Sequence, residues 1–250
     1  MYHFFVEENQ ISESHIDMLG DDVNHAMNVL RLGVDEQVVL CDQKGIDYKC
    51  SIESLTKERI RCKILSKEKS ISELPVRISL FQGAPKQDKM ESIIMKSVEL
   101  GVCEITPIYM KRSIVKYDDK KEAKKTERWQ SISLGAAKQS KRGIVPKVCS
   151  PLSFREFMKD LSGFDLILVP YENERGMDET RKVISSIQTG MRIAIVIGPE
   201  GGFDESEIHE LQQQNARIIT LGNRILRTET ASPAILAMIT YQIEEVLTWQ

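Results

Sequence analysis

Met191–Phe203 reads MRIAIVIGPEGGF. The run Met191–Ile197 is almost unbroken apolar sequence rich in β-branched residues, the pattern of a strand buried on both faces of a parallel sheet. Gly198, Gly201 and Gly202 follow where that strand must end, and their lack of a Cβ lets the backbone turn sharply and bring its N–H groups to a ligand. Asp204-Glu205-Ser206-Glu207 then opens a helix, with Asp204 as N-cap and Glu207 as its capping-box partner. A buried strand, a glycine turn and a helix in that order make one unit of an α/β fold.

The acidic helix start constrains the ligand. A phosphate at a helix N-terminus wants bare N–H groups and positive charge, and here Asp204, Glu205 and Glu207 occupy that end. No Gly-Lys-Ser/Thr follows the glycines, and no G-x-G-x-x-G opens a helix. Polyphosphate and dinucleotide are disfavoured, and a cationic or neutral ligand fits better. The plainer alternative is a tight turn that binds nothing.

A second segment, Leu221–Ala231 (LGNRILRTETA), shifts the balance toward a ligand. Ala216–Leu221 reads as another short strand, yet the next helix opens only near Thr228. Between them Ile225 and Leu226 stand flanked by Arg224 and Arg227, which suits an apolar slot beside a charged reaction partner. The alternative is a connector whose Ile and Leu plug the core.

Working outward, strands and helices alternate from residue 76 on. Strands are expected at Val76–Gln82, Glu104–Tyr109 and Phe164–Pro170, and helices at Lys86–Leu100, Asp118–Gln139 and Asp178–Gln188, which specifies an α/β domain with a largely parallel sheet. Ligands in such sheets bind beyond the carboxyl ends of the strands. The ends at Val169-Pro170-Tyr171-Glu172, Gly198-Pro199-Glu200-Gly201 and Leu221-Gly222-Asn223 are therefore candidates for one shared pocket.

The first seventy or so residues read as a small β-rich unit. Gln37–Asp42, Asp47–Glu53 and Arg59–Leu65 are short strands, with Lys44-Gly45 as a turn between the first two. Ser14–Arg31 has helical spacing. Ser66–Leu74 is polar and precedes Pro75, so it reads as a linker. Two domains follow, 1–72 and 73–250.

The chain has 250 residues and a net charge of −3, enough length for a sound core. Its charge is segregated: Lys86–Lys147 holds fifteen Lys and Arg against eight Asp and Glu, net +7, leaving −10 elsewhere. A basic stripe on an acidic protein is a footprint for docking a polyanion, although Asp118–Arg128 alone also reads as a solvated helix face. The five cysteines and four histidines are scattered, which argues for reduced packed thiols and against a disulfide framework or a metal site. With no membrane span and no signal-peptide pattern at the start, a cytoplasmic protein is expected.

Beyond the two glycine-rich segments, several marks recur together. They are His25 with Val29-Leu30-Arg31, Gln82-Gly83-Ala84-Pro85-Lys86, Glu99-Leu100-Gly101-Val102, Arg112-Ser113-Ile114-Val115-Lys116, Glu127-Arg128-Trp129-Gln130 and Ala136-Ala137-Lys138-Gln139-Ser140. With these the chain closely resembles, over nearly its whole length, the RsmE family, the 16S rRNA uracil-N3 methyltransferases of the knotted SPOUT class. The resemblance implies an α/β SPOUT trefoil-knotted domain, a knot being a rare exception to ordinary topology. It also implies an N-terminal PUA-like or OB-like RNA-binding β-barrel, and a homodimer with its pocket near the subunit interface. S-adenosyl-L-methionine would be held bent by Val169, Pro170, Tyr171, Gly198, Pro199, Glu200, Gly201, Gly202, Leu221, Gly222, Asn223, Ile225, Leu226, Arg227 and Thr228. The expected partner is 16S rRNA within the assembled small ribosomal subunit.

Methylating uracil N3 removes its proton and leaves negative charge on the ring, which a fixed cation would stabilise. Arg227 is the residue expected there, with Arg112 as a second cation that the partner subunit could supply. The alternative for Arg227 is a salt bridge to Glu229 or Glu200. Glu229 is a candidate base, though its place near a helix start favours capping. RNA contacts are expected from His25, Arg31, Lys111, Arg112, Lys138, Lys141 and Arg142, while Trp129 reads as helix packing. Two rivals stand beside this reading, a SPOUT enzyme acting on tRNA and a non-catalytic RNA-binding or ribosome-assembly factor.

Overall fold

The computed structural model describes residues 1–86, 88–115 and 118–246. Gln87, inside the expected Lys86–Leu100 helix, and Lys116 of the Arg112–Lys116 motif lie outside the described residues. The chain divides into two compact units, Met1–Glu73 with Ala137–Val145, and Leu74–Ala136 with Pro146–Gln250.

The first unit is a five-stranded sheet of β1 (Tyr2–Phe5), β2 (His15–Leu19), β3 (Gln37–Cys41), β4 (Ile46–Leu55) and β5 (Arg59–Lys69), in the order β1-β3-β4-β5-β2. Its core gathers Phe4, Ile16, Met18, Val38, Leu40, Ile52 and Ile60. Two expectations give way here. His15–Leu19 is a strand rather than helix, because Ile16 and Met18 alternate inward at period two while the segment pairs antiparallel with β5. Ser66–Lys69 is strand rather than linker: its polar side chains are exposed while its backbone pairs with Ile46–Lys49, and Lys49 bridges Glu68 at 2.8 Å. Helix α1 (Asp21–Asn24) runs on as a π-helical turn, His25–Val29.

The segment 137–145 is strapped to this unit by Glu73, whose carboxylate accepts from Arg142 Nε at 2.8 Å, Arg142 Nη2 at 2.7 Å and Gly143 N at 2.7 Å. Nearby, Cys41 donates to the Gly143 carbonyl at 3.1 Å, and His3 Nε2 lies 3.2 Å from Asp47. His3, Cys41 and Asp47 thus bring polar atoms within 4.8 Å of one another. Burial first, and Asp47 after it, push the Cys41 thiol up to about 12, so its proton stays in place for that hydrogen bond. All five cysteines are free thiols.

The second unit is built on β6 (Arg77–Gly83), β7 (Glu104–Tyr109), β8 (Lys147–Val148), β9 (Leu152–Ser153), β10 (Leu166–Pro170), β11 (Arg192–Ile197) and β12 (Arg217–Ile219). Their order is β12-β10-β11-β6-β7-β8, with β9 also on β7, and every pairing is parallel. Helices α2 (Lys89–Glu99), α3 (Asp119–Gln139), α4 (Phe154–Asp160), α5 (Met177–Ser185), α6 (Glu205–Gln213) and α7 (Thr228–Val246) connect and cover the strands. α2 buries Met90, Ile93, Ile94 and Val98 at helical spacing and packs on α7, which buries Ile235, Leu236, Ile239 and Ile243. The sequence reading passes over α4, although Ser153 and Glu156 form a full capping box at its start. β12, β10 and β11 are neighbours in the sheet, so the loops leaving their carboxyl ends emerge side by side.

Candidate functional site

Those loops enclose a cleft of about 290 Å³. Pro170 and Tyr171 follow β10, Gly198, Pro199, Glu200 and Gly202 follow β11, and Leu221, Gly222, Ile225, Leu226, Arg227 and Thr228 lie between β12 and α7; all line it. Of the other residues expected here, Val169 is fully buried in the sheet, and Gly201 and Asn223 do not reach the lining. Lys89, Glu172, Arg175, Phe203 and Arg224 line the cleft as well.

A buried hydrogen-bond chain fixes the wall. Gln82, at the end of β6, donates through Nε2 to Thr228 Oγ1 at 2.8 Å and accepts from Ser232 Oγ at 2.5 Å; Thr228 Oγ1 in turn donates to the Gly198 carbonyl at 2.7 Å. One amide therefore ties the ends of β6 and β11 to the first turns of α7. β6 and the Gly198-Pro199 turn approach so closely that a Cβ on Gly83 would stand 2.4 Å from Pro199 N. Gly222 has φ +111° and open space where a Cβ would be, which leaves its stretch of the wall to a ligand.

The charged groups sort differently from the sequence reading. The acidic start of α6 is spent on its own capping: Asp204 accepts from Ser206 N and Oγ, Glu207 accepts from the N–H groups of Asp204 and Lys111, and neither acid lines the cleft. The Ser206 hydroxyl and N–H, with Lys111 beside them, hold the Asp204 carboxyl below its ordinary range. The preference for a cationic ligand drawn from that helix start therefore has no geometry behind it.

Arg227 is exposed at the cleft and, among the described residues, makes no ion pair; Glu200 and Glu229 are instead both 3.3 Å from Lys89 Nζ. Against the effect of burial, the Lys86 N–H, its own N–H and the Lys89 ammonium hold the Glu200 carboxyl below its ordinary range. Lys89 is missing from the sequence reading because its partners stand 111 and 140 positions away and no local pattern marks it.

Arg112 lies outside the cleft lining, with Nη1 3.3 Å from the Gly201 carbonyl and Nη2 3.8 Å from Asp204. Lys111 pairs with Asp204 and donates to Ser206. In the first unit, His25 and Arg31 are exposed, His25 edge-on to Phe4 and Arg31 in a left-handed backbone conformation with φ +56°. Lys138 bridges Asp22 at 3.1 Å, and Lys141 is exposed. Arg142 departs from the basic stripe altogether: it is 2% exposed and committed to Glu73, so its charge cannot reach a phosphate in this conformation. Trp129 is buried in helix packing with Lys125 over its ring.

Comparison with known proteins places this geometry. A family model described as an RNA methyltransferase domain matches residues 72–240, and one described as an RNA methyltransferase PUA domain matches 19–65. The chain is 38% identical over 250 residues to ribosomal RNA small subunit methyltransferase E of Bacillus subtilis, covering 98% of each. It superimposes with a TM-score of 0.80, at 32% identity and 96% and 97% coverage, on the Neisseria gonorrhoeae protein of the same name crystallised with S-adenosylmethionine. A Legionella pneumophila protein solved in complex with the same cofactor gives 0.78, at 29% identity and 96% coverage of both chains.

Proposed function

The chain belongs to the ribosomal RNA small subunit methyltransferase E family, and on that premise we propose that it methylates N3 of a uridine in 16S rRNA. It is an S-adenosylmethionine-dependent rRNA methyltransferase; the base, the atom and the state of the RNA are the proposed part.

The cleft suits the donor. Pro170, Tyr171, Leu221, Ile225 and Leu226 offer apolar surface for a flat base, and Gly222 leaves its wall open. Bound there, S-adenosylmethionine supplies the methyl group. The protein must then hold uracil N3 in line with it, since orientation carries much of the rate, and must meet the negative charge that spreads to the ring carbonyl oxygens once the N3 proton passes to water.

The observation that carries the reading is an Arg227 guanidinium facing the cleft with no carboxylate of its own among the described residues. Its charge is uncommitted and can serve the developing anion. Arg112, engaged with Gly201 and Asp204, is proposed as the second cation, acting across a homodimer interface. The exposed Ile225, Met95 and Tyr241 supply apolar surface for such an interface. The first unit is proposed to hold RNA through His25, Arg31, Lys138 and Lys141. A trefoil knot at α7 and a cytoplasmic setting belong to the same proposal; no helix among the described residues is long and apolar enough to cross a membrane.

The test is incubation with isotopically labelled S-adenosylmethionine and unmodified small ribosomal subunits, followed by nucleoside mass spectrometry. Labelled 3-methyluridine supports the proposal. A different methylated nucleoside refutes the N3 assignment, and unlabelled subunits beside labelled tRNA in a parallel incubation with bulk tRNA refute the rRNA substrate.

A further inference from the structure

We propose that Lys89 is a positioning residue of this cleft: its ammonium, bridging Glu200 and Glu229, clamps the Gly198–Gly202 loop to the first turn of α7. The inference rests on the donor pocket proposed above and assigns it a part outside the three loops. Lys89 lies in the first turn of α2, Glu200 in the turn after β11 and Glu229 in the first turn of α7, so a single cation joins three elements. The three side chains are 26%, 24% and 23% exposed, sheltered enough that their charges are not lost to solvent screening.

The clamp has a built character. Glu200 Oε1 is fixed from one side by the Lys86 N–H at 2.9 Å and from the other by Lys89. Glu229 Oε2 is buried and accepts no hydrogen bond among the described residues, so the Lys89 charge at 3.3 Å is what compensates it. Take that charge away and two partly buried carboxylates face each other across the space Lys89 filled. Like charges at such range cannot both stay ionised without cost, so the loop must swing out or one acid must take a proton. The other charged groups on the cleft are Glu172 and Arg175 after β10 and Arg224 and Arg227 before α7; among the described residues none of these arginines pairs with Glu200 or Glu229.

Lys89→Met keeps the aliphatic stem and removes only the charge. By calorimetry it should weaken S-adenosylmethionine binding by about tenfold near neutral pH, the effect of one pKa unit of lost charge compensation, and by less in acid, where proton uptake relieves the repulsion. Lys89→Arg should bind nearly as the parent does. Lys89→Met combined with Glu229→Gln should recover most of the affinity near neutral pH. Parent-like affinity in Lys89→Met, or a loss that ignores pH and is not relieved by Glu229→Gln, overturns the clamp. A second readout needs no donor: NMR titration of the Glu200 carboxyl should show it below the ordinary carboxylate range in the parent and higher in Lys89→Met than in the parent, and an unmoved titration is equally damaging. A parent protein that binds no S-adenosylmethionine would sink the proposed function instead, and the carboxyl titration would then decide the clamp alone.

Discussion

Replacing Gly83 with Ala tests whether the cleft wall depends on close backbone approach. The added Cβ would stand 2.4 Å from Pro199 N, 2.7 Å from Pro199 Cδ and 2.8 Å from Gly198 C. Ordinary contact begins near 3.4 Å, so the Gly198-Pro199 turn must retreat by about 1 Å relative to β6. Neither side yields easily. β6 and β11 pair in register from Arg77↔Arg192 to Gln82↔Ile197, one residue short of the clash, and Gly198 is held from beyond by Thr228. Overpacking of this kind costs about 1–3 kcal/mol, and at the middle of that range a chain of this size loses roughly 4–8 °C in Tm. The same retreat moves Pro199 and Glu200 in the lining, so S-adenosylmethionine binding should weaken along with stability. Thermal unfolding followed by calorimetric titration on the folded variant reads both. A Gly83→Ala variant with parent-like Tm and donor affinity would show that the turn has slack, and the account of a wall fixed by contact would be wrong.

Arg227→Ala should reduce turnover by about 10²–10³-fold with Tm little changed, because the side chain is exposed and makes no ion pair among the described residues; retained turnover removes it from the mechanism. Arg142→Met should cost about 3 kcal/mol by stranding the Glu73 carboxylate, read by urea unfolding, whereas a phosphate-contact role would leave stability alone and weaken RNA binding. The Glu200 carboxyl sits below its ordinary 4.5, so its contribution is full above that value and is lost as pH falls through the lowered one. Lys89 sits above its ordinary 10.5, so its share is full below that value and is lost as pH rises past it. Tm should therefore decline at both limits, and Glu200→Gln should flatten the acid decline; an unchanged acid limb would argue against the pairing.

The longer strands of the second unit announce themselves because both of their faces are buried: Arg192–Ile197 is apolar at every position after the first, and Glu104–Tyr109 is buried from Ile105 through Ile108, while the two-residue β8 and β9 are too short to leave a pattern. His15–Leu19 misleads because a five-residue strand that alternates inward and outward, running straight into a helix, shares its apolar positions with a helical repeat. The three loops of the cleft can be named from glycines and strand ends, which are local signals. Their lining cannot be completed the same way. Lys89 owes its place to tertiary folding, and Arg142 looks like part of a basic stripe until Glu73, 69 residues earlier, is found beside it. The helix that follows Ser153 is a different kind of miss, since its capping box stands in plain sequence.

The Gln82 amide has a consequence for how the protein comes into being. Its two side-chain partners, Thr228 and Ser232, follow it by 146 and 150 residues, so during synthesis β6 exists long before either can reach that amide. Until α7 docks, the Gln82 Nε2 has the neighbouring Gly83 carbonyl at 3.1 Å but its Oε1 has only water to bind, and the Gly198 carbonyl lacks the Thr228 hydroxyl. Sealing the sheet early would strand both, at a cost of about 1–3 kcal/mol for each buried group left unpaired. The nascent domain is thereby biased to stay open at this end, and the cleft takes its full shape only when α7 docks.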